Sequence, residues 1–231
     1  MKTIILDKSK KSLSDIVFHD IRELIETGKI LPGSKISEAS LANKLNVSRV
    51  PIRDAMVRLE SCGLVERQLN VGARVVTLSF HKLIDIYHIR ERLEGLAARF
   101  CAENISRGGL DKLQGLLLSQ SKNIEEMQTY YQKGGDLDIH YLIVNYCNNK
   151  HLIKLFNESL YYLIRVYRFQ FGMRGSRVDG AYQEHKAVID AIGNGDGEMA
   201  ELLMRQHIRL SRNSIERKLE QGGFGESRKI I

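Results

Sequence analysis

The sequence predicts a mainly α-helical fold, in which an N-terminal winged helix-turn-helix is followed by a C-terminal all-helical bundle. Up to about residue 78, short amphipathic segments alternate with turns and lead into two short strands. Beyond residue 80, long amphipathic segments follow one another without any proline, and glycines mark the breaks between them. A chain of 231 residues accommodates two domains, which we place at 1–78 and 79–231 with a flexible tail from about residue 222.

The N-terminal region opens with an amphipathic segment that predicts a helix over residues 12–28. Its predicted apolar side is formed by Ile16, Val17, Ile21, Leu24 and Ile25. A turn at 31–33 separates it from a second, short helix over 38–45, which ends at Asn46. A third helix follows after a very tight turn, and two short helices joined in this way predict a helix-turn-helix.

The third helix carries the features that indicate DNA recognition. Ser48 is suited to the N-cap position, and Pro51 falls in the first turn, where a missing backbone N–H costs little. Arg49 and Arg53 are four residues apart, so they project together and suit insertion into a major groove. They lie beside the predicted apolar face of this helix, which is formed by Ile52, Ala55, Met56 and Leu59. Val50 shares the sector of the two arginines and would meet a thymine methyl group or stay exposed to solvent. The alternative for the two arginines is a merely solvated helix face.

The strands after this helix predict a wing. They are expected over 64–67 and 73–77, with residues 68–72 as the turn between them. Gly72 would allow the wing backbone to approach a phosphate or the minor groove closely.

The bundle carries inward-facing polar residues on several of its helices. Six helices are predicted, over 80–105, 108–132, 135–148, 150–171, 177–193 and 196–221. His140, His185 and His207 each share a helix face with apolar residues, and Asp136 precedes His140 by one turn. A divalent ion would satisfy several of these groups at once, and the mixed nitrogen and oxygen ligands would accept zinc, nickel or manganese. The alternative is that each histidine is an isolated core residue hydrogen-bonded to the backbone.

Composition narrows the class of partner. The formal net charge of +7 favours an anionic partner, for which nucleic acid is the obvious candidate. Cys62, Cys101 and Cys147 are widely spaced, which favours buried thiols in a reducing cytosol over disulfides or a zinc ribbon. No apolar run approaches membrane-spanning length, and the first residues do not form a signal peptide. We therefore expect a cytoplasmic protein with no membrane partner.

Short motifs in the N-terminal region resemble the winged helix of GntR-type bacterial transcription regulators. They are Gly28, Leu31-Pro32-Gly33, Leu41-Ala42, Val47-Ser48-Arg49-Val50-Pro51-Ile52-Arg53, Leu59-Glu60, Gly63-Leu64-Val65 and Gly72. The DNA contacts that this resemblance implies are Ser48, Arg49 and Arg53 on the recognition helix and Gly72 in the wing. Many members have an arginine after the glutamate that matches Glu38. This chain has Ala39 there, so one operator contact is expected to be lost.

The second half resembles the FCD effector domain, the FadR-type C-terminal domain of GntR regulators, in its six-helix form. The resemblance rests on Tyr87 to Arg99, Asp136-Leu137-Asp138-Ile139-His140, Glu184-His185, Ala191-Ile192 and Met204-Arg205-Gln206-His207-Ile208. In metal-binding members the ligands correspond to Asp136, His140, His185 and His207, which are all present. Members often bind a small carboxylate beside the metal, and Arg90 would pair with it, unless it forms a salt bridge to Glu94 instead.

These features together predict a homodimeric transcription regulator whose binding to double-stranded operator DNA responds to a small organic acid. Each protomer would contact one half-site of a short pseudo-palindrome. Two alternatives stay open at this point. One is a metal-dependent hydrolase or lyase with an appended DNA-binding domain, because open coordination positions also serve catalysis. The other is a purely metal-sensing regulator without an organic effector.

Overall fold

The structure is a computed structural model that describes residues 12–68, 72–77, 79–127, 135–171 and 178–220. It divides into two compact units, one made of 1–78 with 165–170 and the other of 79–164 with 171–231. The predicted tail from residue 222 lies outside the described residues, as do 128–132 of the second predicted bundle helix. Among the helices that are described, none is both long and apolar enough to cross a membrane.

The N-terminal unit contains three helices and a small sheet. Their bounds are α1 Leu13–Glu26, β1 Lys35–Ile36, α2 Glu38–Leu45, α3 Arg49–Ser61, β2 Val65–Gln68 and β3 Gly72–Val75. The sheet is antiparallel with the order β1-β3-β2, and it places Ile36 opposite Ala73 and Glu66 opposite Arg74. The predicted winged helix-turn-helix is confirmed. Strand β1 was not predicted, because two residues are too short to show a periodicity.

Helices α1 and α3 pack against each other in the core of this unit. Fully buried residues here are Ile21, Ile25, Ile52, Ala55, Met56 and Leu59. At the edge of the contact, the Arg58 guanidinium lies 4.1 Å from the Phe18 ring centroid and donates to Oδ1 of Asp15 at 2.7 Å. Phe18 is buried against α3, whereas Ile16 is 40% exposed. The predicted apolar side of α1 was therefore wrong for Ile16, because α3 covers the neighbouring side of the helix.

The C-terminal unit is helical throughout its described residues, and the mainly α-helical fold class is confirmed. The helices from residue 80 onward are α4 Phe80–Asn104, α5 Arg107–Met127, α6 Gly135–Tyr146, α7 Lys150–Leu155, α8 Tyr161–Phe171, α9 Val178–Gly193 and α10 Gly197–Glu220. Residues 165–170 of α8 are grouped with the N-terminal unit. The helix predicted over 150–171 is divided by a π-helical segment, Phe156–Leu160. A π turn pairs residues five apart, so Phe156 and Tyr161 both reach the hydrophobic core.

Helices α4 and α10 approach closely and are joined by charged groups. At Gly95 a Cβ atom would lie 2.5 Å from Cγ of Arg205, so the absence of a side chain permits this approach. Beside it the buried carboxylate of Glu91 faces three arginines of α10. The separations are 4.0 Å to Arg205 Nε, 3.7 Å to Arg209 Nε and 3.3 Å to an Arg212 terminal nitrogen. The apolar periodicity of α4 gave no signal for this cluster.

The three cysteines are expected to be unreactive in the folded protein. All are free and buried, and burial raises the pKa of the Cys101 thiol to about 12. Because the thiolate is the reactive species, Ellman's reagent should release almost no colour from the native chain and three equivalents after denaturation. Ser119→Cys, at an exposed position of α5, should react at once and serves as the positive control. Fast reaction of the native wild-type chain would contradict the prediction.

Candidate metal centre and nucleic-acid interface

Three histidines meet in the interior of the C-terminal unit, and we call them the histidine triad. His140 on α6, His185 on α9 and His207 on α10 are each at most 2% exposed. One ring nitrogen of each lies within 4.8 Å of those of the other two. The triad forms because each histidine lies on the buried face of its helix. Buried apolar residues on the same three helices are Ile143, Val144, Val188, Ile189, Met204 and Ile208.

One pair of nitrogens in the triad has the spacing that a divalent ion requires, and the third histidine is close to both. A tetrahedral ion with metal–nitrogen distances of about 2.1 Å sets its nitrogen ligands about 3.4 Å apart. The Nε2 atoms of His140 and His185 are 3.3 Å apart, and the ligand atom of His207 lies within 4.8 Å of those of the other two histidines. The residues present therefore fit a first-row divalent ion. The same 3.3 Å also fits an N–H···N hydrogen bond between the two rings.

Glu94 of α4 connects His140 to a buried cation. One carboxylate oxygen is hydrogen-bonded to Nδ1 of His140, and the other accepts from Nε of Arg90 at 2.6 Å. Burial by itself raises the pKa of Glu94, but the charges of Arg90 and His140 and their hydrogen bonds outweigh it and lower that pKa to about 2. Since a carboxylate accepts hydrogen bonds, this contact favours the neutral tautomer of His140 that has its proton on Nδ1.

Glu184 of α9 has the same relation to His207. Its Oε2 lies 2.8 Å from Nδ1 of His207. Glu184 and His207 also line a cavity of about 220 Å³ between α9 and α10, together with Gln183, Ala187, Leu203 and Gln206. This side of the triad is therefore next to a cavity, whereas Glu94 is fully buried.

The other two predicted effector-domain residues are Asp136 and Arg90. Asp136 belongs to the first turn of α6, but its side chain lies outside the part of the structure that is described. Arg90 is 1% exposed and forms the salt bridge to Glu94 that the sequence left as an alternative. Its guanidinium also lies 4.7 Å from the ring centroid of Tyr87.

The predicted DNA-contact residues at the start of α3 are exposed. Ser48, Arg49 and Val50 all face solvent, and Val50 is 66% exposed. Ser48 occupies the N-cap position, as predicted, but its side chain makes no capping hydrogen bond. The physical reason is Pro51 at the third helical position, which lacks the N–H that an N-cap oxygen commonly accepts.

Arg53 is exposed like the other predicted DNA-contact residues, but it also forms an ion pair within the protein. Its Nε lies 3.4 Å from one carboxylate oxygen of Glu38, at the start of α2. The other oxygen of Glu38 lies 3.4 Å from Arg67 of β2. Glu38 therefore orients two arginines, one on the recognition helix and one on the wing, and both ion pairs are exposed enough to exchange for phosphate.

Gly72 begins β3 at the exposed base of the wing. Its φ of +96° is a backbone conformation that favours glycine, and an added Cβ would lie 3.6 Å from Cε of Lys35. The glycine therefore keeps the backbone open beside a lysine. Residues 69–71, which complete the predicted wing turn, lie outside the described residues.

Sequence reasoning missed the hydrogen-bond partners of the triad. Glu94 was considered only as a partner of Arg90, and Glu184 was given no role. Helical periodicity could have found Glu94, because it falls on the same face of α4 as buried Tyr87, Ala97 and Cys101. Glu184 directly precedes His185, and local pattern gives no reason to pair it with a histidine of the next helix.

Two protein families match this chain. The FCD domain family matches residues 85–210, and the family described as bacterial regulatory proteins, gntR family, matches residues 13–75. The first match includes the triad, and the second includes the recognition helix. Both are families of regulators, so they give no support to the hydrolase or lyase alternative.

Two transcription regulators align with most of this chain. The probable D-xylose utilization operon transcriptional repressor of Paenarthrobacter nicotinovorans is 26% identical over 206 residues, which is 87% of this chain and 89% of that protein. The Uxu operon transcriptional regulator of Escherichia coli K12 is 26% identical over 209 residues, which is 81% of this chain and 80% of that protein.

Solved structures show the same fold. E. coli McbR/YncC superposes with a TM-score of 0.73 at 20% identity, covering 90% of this chain and 99% of that chain. A putative GntR regulator from Rhodococcus sp. RHA1 gives 0.72 at 20% identity, with 90% and 99% covered. The FCD match spans more than half of the 231 residues. The chain therefore belongs to the gntR family of bacterial regulatory proteins that carry an FCD domain, and it is a DNA-binding transcription regulator and not an enzyme.

Proposed function

We propose that this regulator is a cytoplasmic homodimer that represses an operon by binding a pseudo-palindromic operator, and that a metal-associated small organic acid controls the binding. Residues 1–78 would form the DNA-binding domain and residues 79–231 the effector-binding and dimerisation domain. The observation that carries the proposal is the buried histidine triad in a chain whose recognition helix presents exposed arginines.

On the DNA side, we assign the contacts to Ser48, Arg49, Val50, Arg53 and Gly72. Exposure at the start of α3 supports this assignment, because the first turn of a recognition helix reaches the base edges. Arg53 would exchange Glu38 for a phosphate or a guanine edge, and Lys35 beside Gly72 would add a backbone phosphate contact.

In the bundle, we assign metal binding to His140, His185 and His207, with Asp136 as the fourth ligand by family resemblance. Burial of three imidazoles and the 3.3 Å between two Nε2 atoms support a bound ion. Zinc is our first candidate, and nickel and manganese suit the same donors. Such an ion would act as a Lewis acid that attracts an anionic ligand.

The effector that we propose is a small organic acid bound inside the bundle. Arg90 is our candidate for its carboxylate, because its buried guanidinium is linked through Glu94 to His140 of the triad. Gln120 of α5 supports a polar ligand in this region. It is 1% exposed, and neither atom of its side-chain amide has a hydrogen-bond partner among the described residues. Helix α5 packs against α6 and α9, which carry His140 and His185. A ligand with a donor and an acceptor would satisfy this amide.

A ligand changes DNA binding only through its different affinity for two arrangements of the protein. The purely metal-sensing alternative predicts that the ion alone produces the full response. Fluorescence anisotropy of labelled DNA from upstream of the coding gene distinguishes control by a metal-associated acid from control by the metal alone. The protein is titrated after chelation, with zinc, and with zinc plus a panel of sugar acids, dicarboxylates and hydroxy acids.

We expect the operator Kd to change by about 5- to 150-fold with one acid in the presence of zinc. Little change is expected with the acid alone. A full response to zinc without any acid would favour the metal sensor. Absence of sequence-specific binding under every condition would contradict the assigned function.

A further inference from the structure

The two carboxylates behind the histidine triad have a role that follows from their contacts. We propose that Glu94 and Glu184 are positioning residues, which fix the tautomer and the ring orientation of His140 and His207 so that both Nε2 atoms are presented to a metal ion. The inference rests on the metal site proposed above.

Each carboxylate engages the same atom of its histidine. Glu94 is hydrogen-bonded to Nδ1 of His140, and Glu184 Oε2 lies 2.8 Å from Nδ1 of His207. A neutral imidazole carries its proton on one nitrogen only, so a proton held on Nδ1 leaves Nε2 as the lone-pair nitrogen that can bind a metal. Nε2 of His140 is the atom that faces Nε2 of His185 at 3.3 Å.

The two pairs come from different helices and approach the triad separately. Glu94 projects from α4 to a histidine of α6, whereas Glu184 projects from α9 to a histidine of α10. Two rings are thus oriented by independent contacts before any ion binds. Preorganisation of this kind raises metal affinity, since the free protein does not have to select the ligating tautomer on binding.

The environments of the two carboxylates decide which variant is informative. Glu94 is fully buried and balances Arg90, so its removal would leave a buried guanidinium without this partner. Glu184 is partly exposed and lines the α9–α10 cavity, so its replacement disturbs folding less. Glu184 is therefore the primary test position. The double variant Arg90→Met with Glu94→Gln tests the other carboxylate without leaving an unpaired charge.

The test measures zinc affinity of the full-length chain by competition with a chromophoric chelator. We expect Glu184→Ala to weaken zinc binding about 100-fold and Glu184→Gln about 10-fold, because the amide oxygen of glutamine still accepts from Nδ1–H without the charge. The double variant should weaken it by about 10-fold as well. Glu198→Gln changes a side chain that is 90% exposed, and should bind zinc like the wild type.

A spectroscopic readout tests the inference without any metal. Long-range ¹H–¹⁵N correlation spectra of the metal-free protein should show His207 protonated on Nδ1 in the wild type and mainly on Nε2, or exchanging, in Glu184→Ala. Unchanged tautomer and unchanged zinc affinity in Glu184→Ala would overturn the positioning role. Equal losses of affinity in Glu184→Ala and Glu184→Gln with an unchanged tautomer would also overturn it, and would make Glu184 a metal ligand.

Failure of the metal-site proposal has a different signature. A wild-type chain that binds no zinc, nickel or manganese would contradict the metal site, whereas the ¹⁵N spectra would still report whether Glu184 and Glu94 set the tautomers.

Discussion

Replacing Arg49 by alanine is expected to abolish specific operator binding while leaving the thermal unfolding of the protein unchanged. Arg49 is the first residue of α3 and is exposed, so truncation removes no core contact. A lost arginine contact to a base edge costs about 1–3 kcal/mol per half-site. In a dimer this amounts to about 2–6 kcal/mol, or about 30- to 20,000-fold in the operator Kd. Anisotropy titrations at several salt concentrations would measure it.

Two further variants distinguish the loss of a sequence-specific contact from the loss of one positive charge. Arg49→Lys keeps the charge but loses the planar guanidinium, so it should retain non-specific binding and lose the preference for the operator. Arg107→Ala removes an arginine that is 90% exposed at the start of α5 in the other unit, and should leave operator affinity unchanged. Wild-type affinity in Arg49→Ala would show that the first turn of α3 does not touch DNA.

His185→Ala is expected to remove both bound metal and the stabilisation that metal confers. Its Nε2 faces that of His140 at 3.3 Å, so the substitution takes away one of three converging donors. An ion at 100 times its Kd stabilises the native state by about 2.7 kcal/mol. For a chain of this size that corresponds to about 5–10 °C in the unfolding temperature. The wild type should gain this increment on addition of zinc, and His185→Ala should not.

The zinc-dependent increment is the useful quantity, because removal of a buried side chain lowers stability by itself. His207→Ala should behave in the same way, and elemental analysis should find about one ion per wild-type chain and little in either variant. His151→Ala alters an exposed histidine of α7 and should keep the full increment. Equal metal content in all four proteins would assign the triad a purely structural role, as an imidazole hydrogen-bond cluster.

The extent to which the sequence predicted this molecule can be seen at the recognition helix. The spacing of Ile52, Ala55, Met56 and Leu59 predicted the helix and its buried face, and all four are fully buried. Arg49 and Arg53 lie beside that face and are exposed, as the periodicity predicts. Ser48 occupies the N-cap position that serine prefers, but its side chain makes no capping hydrogen bond. Pro51 has no backbone N–H to donate to it.

The bundle shows where periodicity stops being informative. It placed His140, His185 and His207 on buried helix faces, but an apolar stripe does not give the distance between residues of different helices. The division of the predicted helix over 150–171 depended on which of its aromatic residues the core accepts. Helix–helix packing decided which aromatic residues are buried and therefore where this helix is divided.

By itself, the sequence determined most of the helices and the two wing strands, the separation into a DNA-binding part and a helical part, and the residue types that could bind DNA or metal. These follow from local backbone preferences and from which side of a segment avoids water. Only the tertiary structure decided that Arg90 pairs with Glu94, that Glu38 holds Arg53, and that each of two histidines has a carboxylate at Nδ1. The physical reason is that a hydrogen bond depends on distances of a few tenths of an ångström between residues on different elements, and those distances are set by packing.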